Sequence, residues 1–225
     1  MITYRIRNYL LRRFGKVVGN DVLYNDIRQR FGIPLSCSMK GLPRIILHSR
    51  ASIHIGENVV LNSNPEGYHA LMASPATLIA DEPESKIIIG HHSRLHGCCI
   101  HAKRSIRVGS YCLLASGAQL LDTNGHTSDL RLSKHRHYIR DLPEEIVIGD
   151  YTWVGLNAII LKGVAIGCGS IIAANSLVLK GNYPAYSLIG GNPAKVLRSI
   201  DKSEVLSSSD DPQKHSWFNE VFYKY

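Results

Sequence analysis

The sequence lacks several features that would assign it to a membrane, secreted or disulfide-rich class. It has no apolar run of about 18 residues, so no membrane-spanning helix is expected. Its first residues lack an apolar stretch followed by a small-residue cleavage site, so no secretory signal is expected. The five cysteines are odd in number and form no C-x-x-C motif, which indicates reduced, mostly buried thiols. We therefore expect a cytoplasmic protein.

Acidic residues are outnumbered, with 18 Asp and Glu against 26 Lys and Arg, so the formal net charge is +8. Such an excess suits nucleic acid, anionic lipid or a phosphorylated small molecule. The basic residues do not form one long tract with interleaved aromatics. We therefore expect a phosphorylated cofactor as the partner and no nucleic acid.

One pattern that is present dominates the chain. An aliphatic, β-branched residue returns at every sixth position, at Ile148, Val154, Ile160, Ile166, Ile172 and Val178. A six-residue period fits neither an α-helix nor a simple strand, and it is typical of a β-helix. Each hexapeptide is then a short extended segment and a sharp corner, and three of them form one triangular coil around a narrow core.

The remaining sequence divides around this repeat domain, which we place at 51–198. Residues 1–50 form a capping segment, and the spacing of apolar residues over 1–14 predicts a short basic amphipathic helix. That helix would cover the open end of the coil, and a second interpretation is contact with the inner membrane surface. Residues 199–225 form a linker and a tail with aromatics at helical spacing. The period fails over 121–146, which predicts a long loop rich in His, Arg and Asp that carries function.

The block IVIGDYTWVGLNAIILKGVAIGCGSIIAANSLVLKG, followed by GGNPAKVLR, is similar to the hexapeptide-repeat acyltransferases of the left-handed β-helix type. The layout resembles that of O-acetyltransferases of bacterial capsule and lipopolysaccharide. The resemblance implies an all-β fold, a left-handed parallel β-helix with short helical appendages and an inserted catalytic loop. It also implies acetyl-CoA as the cosubstrate, no metal, and a homotrimer with sites between subunits.

The resemblance places the catalytic residue in the segment Asp122-Thr123-Asn124-Gly125-His126. His126 is the expected general base, because a neutral imidazole can take a proton from an acceptor hydroxyl near pH 7. Asp122 is the expected partner that orients the ring, and Asp129, which also flanks His126, or a backbone carbonyl is the alternative. Asn124 and Trp153 are the expected contacts to the acceptor.

The same resemblance assigns a coenzyme A site to five residues. Trp153 lies at an outward position of a repeat, where its indole would pack against the acyl donor or the acceptor. Gly155 and Ala174 are small residues along which a pantetheine arm could lie. Lys180 and Arg198 match basic residues near the phosphates of the coenzyme, where charge-assisted hydrogen bonds are favourable.

The acceptor is less constrained by the sequence. The stretch from His96 to Arg104 is basic, where sugar-binding relatives carry acidic and amide residues, so we expect an acidic or phosphorylated glycan. The leading interpretation is O-acetylation of a sugar hydroxyl on a bacterial surface polysaccharide or its precursor. The alternatives are N-acetylation of an amino sugar nucleotide, acetylation of a small molecule such as an antibiotic, a non-catalytic scaffold, and a zinc-dependent carbonic anhydrase-like site that uses His96 and His101.

Overall fold

The computed structural model describes the backbone of residues 20–201 and the side chains of residues 24–201. The helix predicted over 1–14 and the predicted aromatic tail lie outside the described residues. The described part begins with helix α1, Asn20–Phe31. Across residues 20–201, no helix is both long and apolar enough to cross a membrane.

After α1 the chain winds through three sheets, which we name A, B and C. Sheet A contains β1 Ser38–Lys40, β4 Val60–Asn62, β7 Arg94–His96, β10 Leu113–Leu114, β13 Trp153–Val154, β16 Ile171–Ile172, β19 Ser187–Gly191 and β20 Ala194–Ser199. Sheet B contains β2 Arg44–Leu47, β5 Thr77–Ala80, β8 Cys99–Ala102, β11 Gln119–Leu121, β14 Ile159–Leu161 and β17 Leu177–Val178. Sheet C contains β3 Ser52–Ile55, β6 Lys86–Ile89, β9 Ser105–Val108, β12 Ile146–Ile148, β15 Val164–Ile166 and β18 Gly181–Tyr183.

Strands β1 to β19 enter sheets A, B and C in turn, and strands one coil apart in the same sheet pair in parallel. Val154 pairs with Ile172, and Ile160 pairs with Val178, so residues three repeats apart stack directly. The six aliphatic residues of the predicted ladder all point into the core, and none exposes more than 3% of its surface. The predicted parallel β-helix is therefore confirmed.

Each end of the coil carries an added element within the described residues. Tyr24, Ile27 and Phe31 of α1 pack against the core at the N-terminal end. The first strand begins at Ser38, so the coil starts ahead of the boundary predicted at residue 51. At the other end β20 folds back antiparallel on β19 and forms a hairpin along the last strand of sheet A. β20 thereby pairs with the edge backbone groups of β19, which would otherwise be open to pairing with another chain.

Small residues at the corners let successive coils approach closely. A Cβ atom on Gly155 would lie 2.7 Å from the backbone nitrogen of Ala174 and from the carbonyl oxygen of Ile172. A larger residue at this corner would force the next coil away, since real Cβ atoms do not approach backbone so closely. The sequence pattern of glycine after the aliphatic residue thus follows from the spacing of the coils.

All five cysteines are free thiols, as predicted. Cys37, Cys98 and Cys112 are buried, Cys99 is half-buried and Cys168 is exposed. Burial raises the pKa of Cys98 to about 12, which keeps this thiol protonated and unreactive.

Two long loops leave the coil without changing its register. The first, residues 63–76, joins β4 of sheet A to β5 of sheet B. The second, residues 122–145, joins β11 of sheet B to β12 of sheet C and contains a 3-10 helix, Leu130–His135. Leu120 before the second loop pairs with Ile160 after it, so the coil closes behind the loop. This loop agrees with the one predicted over 121–146.

The stacked ladder predicts a large difference between inward and outward positions of one strand. We expect Ile160→Ala to lower the free energy of unfolding by about 2–5 kcal/mol, because it opens a cavity in a fully buried core. Ile159→Ala is the matched control, since Ile159 is the half-buried, outward neighbour on the same strand. Equilibrium denaturation of both variants is the measurement. Equal losses in the two variants would contradict the assigned facing of the strand.

Candidate active site

The segment that carries His126 is joined to the returning part of the loop at three points. The backbone N–H of Thr127 donates to the carbonyl of Ile139 at 3.0 Å. The backbone N–H of Asn124 donates to a carboxylate oxygen of Asp141, also at 3.0 Å. His126 Nδ1 lies 3.1 Å from the carbonyl oxygen of Arg136. The exposed ring of His126 is therefore held by hydrogen bonds on its own loop.

The contact to the Arg136 carbonyl fixes the protonation pattern of the His126 ring. A carbonyl oxygen can only accept, so Nδ1 must carry the proton of the neutral imidazole. Nε2 is then left with a lone pair, which is the form that a general base needs. This contact matches the alternative given by the sequence, in which a backbone carbonyl orients the ring.

The structure places Asp122 elsewhere than predicted. Its side chain is fully buried, and its two oxygens accept the backbone N–H groups of Lys103, Arg104 and Ser105 at 2.8, 2.7 and 2.9 Å. Burial raises the pKa of Asp122, although the three amide donors act in the opposite direction. In the described chain Asp122 thus holds the turn between β8 and β9, and it does not contact His126.

Three of the predicted cofactor residues lie together in a groove on sheet A. Trp153, Gly155 and Ala174 line this groove, which encloses about 230 Å³. Trp153 exposes 49% of its surface and pairs with Ile171 in the next coil. Ile171 also lines the groove, so its wall is formed by outward apolar residues of successive strands. This surface suits a slender, flexible chain such as a pantetheine arm.

The opposite wall of the groove comes from the loop 63–76, through Tyr68 and His69. Tyr68 stacks on His96 with ring centroids 5.0 Å apart. The hydroxyl of Ser116 donates to the carbonyl of Leu71 at 2.8 Å and holds the loop against the coil. The sequence singled out neither wall residue, because no repeat or spacing relates this loop to the strands it covers.

Lys180 and Arg198 do not line the groove. Lys180 exposes 67% of its side chain, and its Nζ lies 2.5 Å from a carboxylate oxygen of Glu144. The hydrogen bond from Lys180 lowers the pKa of Glu144. Arg198 lies on β20, where its guanidinium donates to the carbonyl of Ser199 at 3.2 Å. In the described chain Lys180 therefore pairs with the loop that carries His126, in an exposed contact that the sequence did not predict.

His126 and the groove lie on different parts of the coil. The loop that carries His126 joins sheet B to sheet C. The groove lies on sheet A and on the corner that leads from sheet A to sheet B. The side chains that line the groove do not include His126 or Asn124, so one described chain does not bring all the predicted site residues together.

The stretch from His96 to Arg104 is less basic in the structure than in the sequence. His101 lies 3.0 Å from Asp81, and Lys103 contacts both Asp81 and Glu82. These two acids lie on the preceding coil, so their contacts with His101 and Lys103 could not be predicted from the sequence. The prediction of a strongly basic face at this stretch was therefore wrong.

His96 is also neutral rather than basic. Its ring is half-buried between Tyr68 and Asn62, whose amide lies 3.2 Å from Nδ1. Burial lowers the pKa of His96 to about 4, and the nearby charges of Arg94 and Lys40 act in the same direction.

The structure does not bring together the histidines of the zinc alternative. His96 contacts Tyr68 and Asn62, whereas His101 contacts Asp81. Over the part of the chain that the structure describes, no group of three or more His, Cys, Asp and Glu side chains could hold a metal ion. Within the described part of one chain, His96 and His101 therefore do not share a site.

Comparison with known proteins identifies the family of this chain. The chain is 32% identical over 124 residues to the chloramphenicol acetyltransferase of Escherichia coli, a match that spans 49% of this chain and 59% of that protein. It is 35% identical over 129 residues to a probable macrolide acetyltransferase of Lysinibacillus sphaericus, and there the match spans 50% of this chain and 68% of that protein. The chain belongs to the hexapeptide-repeat acetyltransferases. No protein-family model matches the sequence.

Solved structures agree with this family. A hexapeptide-repeat acetyltransferase from Vibrio cholerae, solved with acetyl coenzyme A, superposes with a TM-score of 0.53 at 23% identity, over 89% of this chain and 91% of that one. At this identity the similarity shows the fold. The left-handed coil expected from the resemblance is the fold of the family.

The low pKa of His96 predicts how stability changes with acid. Between pH 6.5 and about 4 the unfolded chain binds a proton on His96 and the folded chain does not. Stability should therefore fall as the pH falls through this window. We expect His96→Gln to reduce that dependence, measured as thermal midpoints from pH 7 to 4. His54→Gln, at an exposed outward histidine, is the control. Equal pH dependence in wild type and His96→Gln would contradict the assignment.

Proposed function

We propose that the chain is an acetyl-CoA-dependent O-acetyltransferase that acetylates a sugar hydroxyl of a bacterial surface polysaccharide or its precursor. The observation that carries this proposal is the orientation of His126. The ring is exposed, its Nδ1 is engaged by a carbonyl, and its Nε2 is free to accept a proton. Relatives at 31% to 35% identity are acetyltransferases by name, which supports the donor.

The proposed reaction is a direct transfer. His126 Nε2 takes the proton of the acceptor hydroxyl while that oxygen attacks the carbonyl carbon of the thioester. The carbon–sulfur bond then breaks, and the imidazolium returns the proton to the departing sulfur. The products are an acetyl ester and free coenzyme A, and no acyl-enzyme is formed.

The groove on sheet A is the proposed site of the donor. Trp153 would pack against the pantetheine arm, while Gly155 and Ala174 let the arm lie close to the backbone. Because this groove and His126 lie on different parts of one chain, we propose a homotrimer. In that assembly the loop of one subunit faces the groove of its neighbour, and closed rotation gives three equivalent sites.

The charge around His126 supports an acidic acceptor. The stretch Lys134, His135, Arg136 and His137 lies beside His126 on the same loop, and the rings of His126 and His137 have centroids 6.1 Å apart. Lys134, His135 and His137 are exposed. An open, basic surface around the base suits a polymer that carries carboxylates or phosphates better than a neutral sugar.

A small-molecule acceptor is the second candidate. It is favoured by the names of the relatives, which include chloramphenicol and macrolide acetyltransferases. Turnover of acetyl-CoA with acidic glycans, neutral glycans and chloramphenicol, each tested alone, separates the candidates. A preference for a neutral disaccharide or for chloramphenicol would contradict the acidic polysaccharide.

Loss of the His126 imidazole tests the base. We expect His126→Ala to lower turnover by at least about 100-fold, since a general base typically contributes that much. The midpoint of thermal unfolding should stay close to that of wild type, because the ring is exposed. His54→Ala, at an exposed outward histidine of β3 that lies in neither the loop nor the groove, is the control and should retain turnover. Near-normal turnover of His126→Ala would rule out the proposed base.

Replacement of Trp153 tests whether the groove on sheet A binds the donor. We expect Trp153→Ala to weaken acetyl-CoA binding about 10-fold, as expected for loss of a large aromatic contact, with little change in stability. Isothermal titration with coenzyme A measures the binding. Tyr151→Ala is the control, since Tyr151 is a comparably exposed aromatic residue that does not line the groove. Unchanged binding in Trp153→Ala would place the donor elsewhere.

A further inference from the structure

A shielded ion pair joins the catalytic loop to the coil. Lys162 follows β14, and its Nζ lies 2.7 and 2.6 Å from the two carboxylate oxygens of Asp141. The same ammonium group donates to the carbonyl of Leu142 at 3.1 Å. The side chains of Lys162 and Asp141 expose only 20% and 9% of their surface. Lys162 therefore has all three of its donors satisfied at one point of the loop.

Asp141 also forms a hydrogen bond with the segment that carries His126. Its carboxylate accepts the backbone N–H of Asn124, two residues before His126. Burial raises the pKa of Asp141, but the hydrogen bonds from Lys162 and from Asn124 outweigh it and hold the pKa below its ordinary value. The carboxylate is thus charged at neutral pH and can hold both partners at once.

The other ion pairs of the loop are more exposed. Arg131 exposes 89% of its side chain beside Asp129, and Arg140 exposes 75% beside Glu82. Exposed pairs of this kind contribute little, since water and salt screen them. A shielded pair behaves differently, because removal of one partner leaves the other charge without compensation.

We infer that Asp141 and Lys162 are positioning residues that hold His126 in its base orientation through the backbone of Asn124. The inference rests on the proposed function, in which His126 is the base. It replaces Asp122, which the sequence favoured for this role, with a pair brought together only by the fold. Neither residue of the pair contacts the reacting atoms in the proposed reaction.

Steady-state kinetics give the first test. We expect Asp141→Ala and Lys162→Met each to lower kcat about 10- to 100-fold, because small displacements of a catalytic group have effects of this size. The KM for acetyl-CoA should stay within about twofold, since the groove is unchanged. The double variant should lose no more than either single variant, because both changes break one link.

Arg131→Ala is the control for these variants, since it breaks an exposed ion pair of the same loop. Its kcat should equal that of wild type. Asp141→Asn keeps the size of the side chain and an oxygen that can accept from Asn124. Asp141→Asn takes the place of Asp141→Ala in these measurements if Asp141→Ala does not fold. It should retain more activity than Lys162→Met.

A substrate-free measurement separates positioning from general destabilisation. In protein labelled with 15N-histidine, His126 should show the form protonated at Nδ1, with its signals assigned by their loss in His126→Gln. We expect Lys162→Met to give a mixture of the two ring forms and Arg131→Ala to leave the spectrum unchanged. A role limited to stability would lower the thermal midpoint without changing the ring form.

The two proposals fail in different ways. If His126→Ala retains turnover, the proposed base is wrong, while the 15N spectra still report whether the ion pair orients the ring. If His126→Ala is inactive but Lys162→Met and Asp141→Asn keep wild-type kcat and the Nδ1-protonated form, the positioning role is overturned. Full additivity in the double variant would also overturn it.

Discussion

Parallel backbone hydrogen bonds between successive coils keep residues three repeats apart in one column. The inward columns form the aliphatic core, and the outward columns form continuous surfaces along the coil. Leu113, Trp153 and Ile171 are one such outward column, because their strands β10, β13 and β16 pair in register. The groove on sheet A is therefore a direct product of the six-residue period. A slip by one residue in any of these strands would exchange its inner and outer faces.

The same register lets a long loop leave the coil without disturbing the pairing of the strands on either side of it. Val108 pairs with Ile148, so the ladder continues across the gap as if the loop were absent. The loop itself has no sheet partners, and its conformation depends on side chains from other coils. Glu82, Lys162 and Lys180 supply these contacts from three positions along the coil. The coil is held by backbone pairing between its strands, whereas the loop combines a few backbone hydrogen bonds of its own with ion pairs to the coil.

The difference between the repeating coil and the loop decides how much could be predicted from the sequence. The ladder, the small corner residue Gly155 and the outward Trp153 all follow from the period, so their positions were predicted correctly. Asp122 was assigned by its closeness to His126 in sequence, but its carboxylate is used by three amides of a neighbouring coil. Asp141 and Lys162 carry no motif, and only the folded coil brings them together.

The acidic partners of the 96–104 stretch show the same limit. Asp81 and Glu82 lie one coil before His101 and Lys103. The acids are therefore distant in sequence from the two basic residues, but in the fold they pair with them. Charge counted along the sequence therefore overstated the basic character of the 96–104 stretch. Two further basic residues, Lys134 and Arg136, lie on the loop segment whose carbonyl at Arg136 contacts His126. In the proposed function the acceptor instead meets this segment of the loop, next to the group that takes the proton.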